Sequence, residues 1–144
     1  MHFDLSEDQR MIREAAREFA EKEIKPIAAK MDEEAEFPAG IVAKLGELGF
    51  MGMMVPEEYG GAAMDSVSYA ISVEEISRAD AGIGVAMSVN NSLACQPILD
   101  FGNEDQKKKY LTPLASGEKL GAYSLTEPEA GSDAGNVQVA AVLD

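Results

Sequence analysis

The chain has 144 residues, which suits a single domain, and 46% of them are apolar and 26% charged. Its net charge of −14 argues against nucleic acid, whose phosphates need clustered Lys and Arg, and against an anionic membrane surface. No apolar run approaches a membrane span and the acidic, amphipathic N-terminus is unlike a signal or transit peptide, so a reducing, cytoplasmic setting is expected.

Most of the chain reads as helix. Ser6 and Gln9 have capping-box spacing, and Ile12, Ala15, Ala16, Phe19 and Ala20 recur at helical intervals, with Arg13, Arg17 and Glu21 on other faces. Pro26 is expected to kink or break this helix near Lys25. Phe37-Pro38 opens a second helix, whose apolar side is Ile41, Val42, Leu45 and Leu48 and whose left-handed terminator is Gly49. Residues 50–64 read as irregular, punctuated by Pro56 and Gly60-Gly61.

Asp65 or Ser66 caps a third helix through Arg78, carrying Tyr69, Ala70, Val73 and Ile76. A fourth, from about Asp80 to Leu93, is apolar on most sides (Ile83, Val85, Ala86, Met87, Val89) and is expected in the middle of a bundle. A short helix around Pro97 to Phe101 stops at Gly102, and Asn103 with Gln106 caps another that ends near Gly117.

Chemistry-bearing residues are sparse in this helical part. Cys95 stands alone and reads as a small buried residue, and His2 is the single histidine, near the N-terminus. No Cys/His cluster is present for a zinc site, and no His serves a Ser or Cys nucleophile. Lys107-Lys108-Lys109 reads as a solvated helix face.

The period changes at Lys119. Residues 120–126 read as a strand, Pro128 to Gly135 as a loop, and Val137, Val139 and Ala141 alternate as a second strand. The expected organisation is therefore a helical domain over 1–118 and the start of a β-domain over 119–144. About 25 residues of β chain do not make a domain, because an isolated hairpin is marginal in water. The chain thus reads as ending inside a larger unit. In the loop, Gly131 allows close backbone approach, and successive N–H groups at Gly131-Ser132-Asp133 would suit a phosphate. The same composition also makes a plain β-turn.

The run TEPEAGSDAG at 126–135, preceded by its strand, resembles the flavin-binding signature of acyl-CoA dehydrogenases. FPAGIVAKLGELGFMGMMVPEEYGG at 37–61, VEEISRADAGIGVAMSVNN at 73–91 and FGNEDQKKKYLTPLASGEKLGAYSLTEP at 101–128 resemble the same family in order and spacing. Ser124, where the signature has Ala, Cys or Gly, and Asn136 in place of a small residue are mild departures.

The resemblance implies a mainly α fold: the family's N-terminal helical bundle followed by the first strands of a truncated β-domain. It implies FAD as cofactor and an acyl-CoA oxidised to the trans-2-enoyl-CoA. Its base is a glutamate in a C-terminal domain, so no catalytic residue is carried over. Tyr123, Ser124, Leu125 and Thr126 are implied to lie against the isoalloxazine, with Thr126 bonding the ring. Gly131 and Ser132 are implied at the pyrophosphate, and Ser132 also at the pantetheine of acyl-CoA. Glu127 is set aside as a base, and Asp133 is read as holding the turn.

MSVNNSLACQPI at 87–98 resembles the floor of the acyl pocket in short-chain, butyryl-type members. Met87, Val89 and Asn91 then limit chain length, or else simply pack the core. Homo-tetramers and an electron-transferring flavoprotein partner are implied for the full-length enzyme. The alternative is a self-sufficient helical binding or interaction module derived from the same domain.

Overall fold

The computed structural model describes residues 4–142; His2, Leu143 and Asp144 lie outside them. Its helices are α1 (Glu7–Phe19), α2 (Lys25–Glu34), α3 (Ala39–Glu47), α4 (Ser66–Ala79), α5 (Ala81–Val89), α6 (Gln96–Phe101), α7 (Glu104–Gln106) and α8 (Thr112–Ala115). The fold is mainly helical, as the sequence implies. Locally encoded caps are where they were expected. Ser6 and Gln9 exchange both capping-box bonds, as do Asn103 and Gln106. Asp65, rather than Ser66, accepts from Ser68 N at 2.8 Å. Gly49, at φ +78°, terminates α3 while Phe50 N–H reaches back to Leu45 O at 2.9 Å.

Three prolines that should interrupt helices do not. Before Pro26 lies a π-helical turn at Ala20–Ile24, before Pro97 one at Asn90–Cys95, and before Pro113 one at Lys107–Leu111. In each, the residue just before the proline helix position bonds five residues back: Lys25 to Ala20, Gln96 to Asn91, Thr112 to Lys107. The wider turn shifts the carbonyl against which the proline ring would otherwise clash, a conflict that costs about 3 kcal/mol in a regular helix. The break expected near Lys25 is therefore a π turn, and the helix continues to Glu34. The separate helices expected at 80–93 and 97–101 are likewise joined.

The main core joins Phe19, Ala20 and Ile24 to Leu45, Phe50, Met51, Met53, Ile76, Ile83 and Met87. Val55, Tyr59, Cys95, Leu111 and Ala115 form a second cluster. Cys95 is fully buried, and burial pushes its thiol pKa up to about 12, so it is an inert core residue. The Tyr59 hydroxyl donates to Glu104 at 2.8 Å, which with partial burial raises the phenol to about 12. Lys107 is not freely solvated: its ammonium lies 5.8 Å from the centre of the Tyr59 ring, whereas Lys108 and Lys109 are exposed.

Two helix faces differ from expectation. α5 is not surrounded, because Ile83, Gly84 and Met87 are buried while Val85 is 60% exposed. On α4 the buried face is Ser68, Ser72, Glu75 and Ile76, and Ala70 is exposed. Small serines let α4 pack against α1, and Ser72 Oγ satisfies itself on Ser68 O at 2.9 Å.

Glu75 accepts from Arg17 Nε and Nη2 at 2.9 and 2.5 Å and from Arg78 Nε at 3.3 Å, while Arg78 Nη2 reaches Glu21 at 2.7 Å. The bidentate Arg17 hydrogen bond, more than any other cause, holds the Glu75 carboxyl below its ordinary value of 4.5. A depressed carboxyl stabilises the fold above its unfolded pKa and loses that contribution as pH falls through the folded one. Glu75→Gln should therefore destabilise the chain at neutral pH by about 1.5–3 kcal/mol. That gap should close below pH 4.5, as read from denaturant melts across pH 2–7. A gap independent of pH would contradict the ion-pair origin.

Candidate functional site

The irregular segment 50–64 runs through the core, which sets a strict hydrogen-bonding problem. Phe50, Met51, Met53 and Val55 are buried, so their backbone groups need partners inside the protein. Some come from the segment itself: Ala62 N–H to Gly52 O, Ala63 N–H to Val55 O and Met64 N–H to Met53 O, at 2.9, 2.9 and 2.7 Å. Phe50 N–H uses Leu45 O, and three further partners come from two adjacent asparagines on the π turn. Asn91 accepts from Met53 N at 2.8 Å and donates to Phe50 O at 2.8 Å and Met87 O at 2.9 Å. Asn90 donates to Met51 O at 2.7 Å and Leu114 O at 3.1 Å, and accepts from Gly121 N at 2.8 Å.

That last bond delivers residues 119–126 to their place. The helices end at Ala115, Gly117 turns the chain at φ +76°, and Lys119 N–H bonds Pro113 O at 2.9 Å. Beyond this point the two strands read from the sequence are not formed. Among the described residues the only β pairing is an isolated bridge between Glu127 and Ala130. The alternating side chains are present, but a strand needs a neighbour to bond, and these segments have none here.

The bridge closes a tight turn, with Glu127 N–H to Ala130 O at 2.9 Å and Ala130 N–H to Glu127 O at 3.2 Å. It brings Thr126 beside Gly131: a Cβ placed on Gly131 would meet only Thr126 Cγ2, at 3.8 Å, within 4 Å. Thr126 and Ser132 are exposed, as is Ser124, and Gly131 is half-buried. Tyr123 and Leu125 present large apolar side chains to the surface, 48% and 39% exposed. Tyr123 supplies one aromatic ring and Leu125 one aliphatic side chain, both open to solvent beside the Gly131–Ser132 bend.

Glu127 is occupied in holding the loop. Its carboxylate accepts from the backbone N–H groups of Gln138 and, at 3.1 Å, of Val139. Asp133 contributes through its carbonyl, which accepts from Asn136 N at 3.0 Å. Of the residues assigned to an acyl pocket, Met87 is wholly buried in the main core and Asn91 spends its amide on the 50–53 backbone. Val89 is half-buried. Asn90 and Glu75 escaped sequence reading. The available signal was polarity at a core position: two asparagines inside an otherwise apolar helix, and a glutamate one residue before the buried Ile76.

Residues 6–118 match the model of the acyl-CoA dehydrogenase N-terminal domain, and the chain belongs to the acyl-CoA dehydrogenase family. Within it, the chain is similar to the short-chain specific acyl-CoA dehydrogenase of Clostridium acetobutylicum, 51% identical over 144 residues. That match covers 100% of this chain and 38% of the relative, so the chain spans well under half the length of such relatives. Among solved structures, it is similar to butyryl-CoA dehydrogenase from Megasphaera elsdenii, with TM-score 0.87, 39% identity, and 96% of this chain and 37% of that one covered. An acyl-CoA dehydrogenase from Bacillus anthracis complexed with FAD gives TM-score 0.85 and 43% identity, covering 94% and 23% of the two chains. A chain in a study of the electron transferring flavoprotein of Acidaminococcus fermentans and flavin-based electron bifurcation gives TM-score 0.94 and 48% identity, covering 100% and 38%.

Proposed function

We propose that this chain works as the N-terminal part of an FAD-dependent dehydrogenase that oxidises a short-chain acyl-CoA to the trans-2-enoyl-CoA. The observation that carries the reading is the open edge of Tyr123 to Thr126 beside the Gly131–Ser132 turn, in a chain of this family. Thr126 would hydrogen-bond the flavin ring, with Tyr123, Ser124 and Leu125 against it. Gly131 and Ser132 would hold the pyrophosphate through backbone N–H groups and a hydroxyl, and Ser132 would also touch the pantetheine. When bound, FAD supplies the acceptor for the β-hydride.

Met87, Val89 and Asn91 would bound the acyl pocket, with Met87 and Asn91 acting through packing. The α-proton must go to a carboxylate in a site where the thioester carbonyl is polarised. Glu127 is ill-suited, because its oxygens are held by backbone N–H groups. By the family resemblance the base is a glutamate outside this chain. We place the domain boundary at 118–119, and assign cytoplasmic location, tetrameric assembly and an electron-transferring flavoprotein as acceptor to the whole enzyme. Among the described residues no helix is long and apolar enough to cross a membrane.

The test is turnover. The purified 144-residue chain, given FAD, butyryl-CoA and an artificial electron acceptor, should show none, and measurable turnover would overturn the assignment of the base. A longer protein carrying this chain at its N-terminus should lose its oxidised-flavin absorbance on adding butyryl-CoA. An unchanged spectrum with short, medium and long acyl-CoA alike would sink the functional reading.

A further inference from the structure

We propose that Asn90 is a positioning residue for the flavin-facing segment, fixing the register of residues 119–126 against the helical core. The inference rests on the flavin reading of that segment.

Asn90 is fully buried, and one amide ties together three stretches of chain. Its Nδ2 donates to Met51 O, in the segment that crosses the core, and to Leu114 O, in the last helical turn. Its Oδ1 accepts from Gly121 N at 2.8 Å. Gly121 sits close to the same helix: a Cβ there would stand 2.3 Å from Ala94 Cβ and 3.2 Å from Asn90 Oδ1. Only a glycine allows the chain to pass at this distance.

The remaining segment to Thr126 is short. Read as the strand that the sequence predicts, residues alternate between faces, so Gly121, Tyr123 and Leu125 share one side and Ser124 and Thr126 the other. A slip of one residue at Gly121 would exchange the two sets. The bond from Gly121 to Asn90 and the fit against Ala94 fix this register against the helical core. Asn90 touches no flavin in this scheme and acts through the backbone.

The experiment uses the flavin-loaded protein that carries this chain, with Asn90→Ala, Gly121→Ala and, as a stability control, Glu75→Gln, whose partners lie on α1 and α4. Asn90→Ala should raise the FAD Kd at least about tenfold and shift the bound-flavin absorbance, since small misplacements of binding groups are costly. Gly121→Ala removes no buried partner from the helical core and should do the same, which covers the case in which Asn90→Ala fails to fold. Glu75→Gln should lower the melting temperature yet leave both flavin readouts in place. In the 144-residue chain, Asn90→Ala should speed hydrogen exchange at the Gly121 amide selectively. Loss of stability with unchanged FAD affinity in both Asn90→Ala and Gly121→Ala would overturn the positioning role. Unchanged Gly121 exchange would overturn the latch itself. If the unmutated protein bound no FAD, the flavin reading would fall, while faster Gly121 exchange in Asn90→Ala would still establish the latch.

Discussion

Gly61→Ala should destabilise the chain by about 3 kcal/mol, at the upper end for a single added methyl group. An ideal Cβ at Gly61 falls 2.0 Å from Val55 O and 2.5 Å from Val55 C. These are backbone atoms, so no rotamer change relieves the overlap. Val55 O also accepts from Ala63 N, and the neighbouring bonds from Ala62 to Gly52 and Met64 to Met53 hold the same fold-back. Moving the carbonyl would therefore loosen the whole 50–64 segment, on which Phe50, Met51 and Met53 depend for their place in the core. Gly40→Ala is the matched control. Nothing lies within 4 Å of its Cβ and it sits inside α3, so alanine there should be neutral or stabilise by about 0.5–1 kcal/mol. Urea melts of both variants check the pair. A Gly61→Ala melt indistinguishable from the parent would contradict the close packing of Val55 on Gly61.

Asn91→Leu is expected to cost a similar amount, about 3 kcal/mol, by a different route. The leucine preserves volume but strands the Met53 N–H and the Phe50 carbonyl, both buried. Each unsatisfied buried backbone group costs about 1–3 kcal/mol. Hydrogen exchange should locate the damage, with faster exchange at Met53 before residues in α1 and α2. A variant as stable as the parent would mean that another group or water takes over both bonds, and that Asn91 does not hold the core crossing.

Features legible in the sequence are those whose physics is local. Ser6 with Gln9, Asn103 with Gln106, Asp65 and Gly49 each act within one turn of chain, and each does what its residue type requires. Pro26 misled for the same reason: the local rule is a broken helix, but inserting one residue as a π turn keeps the helix intact. The distant partners were not legible. Asn90 and Asn91 meet backbone some forty positions away, at Met51 and Phe50, and Arg17 meets Glu75 across α1 and α4. Nothing in residue spacing announces such pairs. The strands at 120–126 and 137–141 show the converse. Their alternation is written in the chain, yet pairing needs a neighbour that local pattern does not provide. The candidate site follows suit. Its residues were recognisable from family resemblance, while the part that holds them, Asn90 against Gly121, became visible only in three dimensions.

On the proposed reading, the Thr126 to Ser132 edge receives FAD. The most direct measurement is a calorimetric titration of FAD into the flavin-free protein that carries this chain, with Thr126→Ala and Ser132→Ala beside the parent. One FAD should bind per parent chain, and each variant should weaken binding by about tenfold, the worth of one hydrogen bond of roughly 1.4 kcal/mol. Parent-like affinity in both variants would contradict the assignment of this edge as the flavin wall.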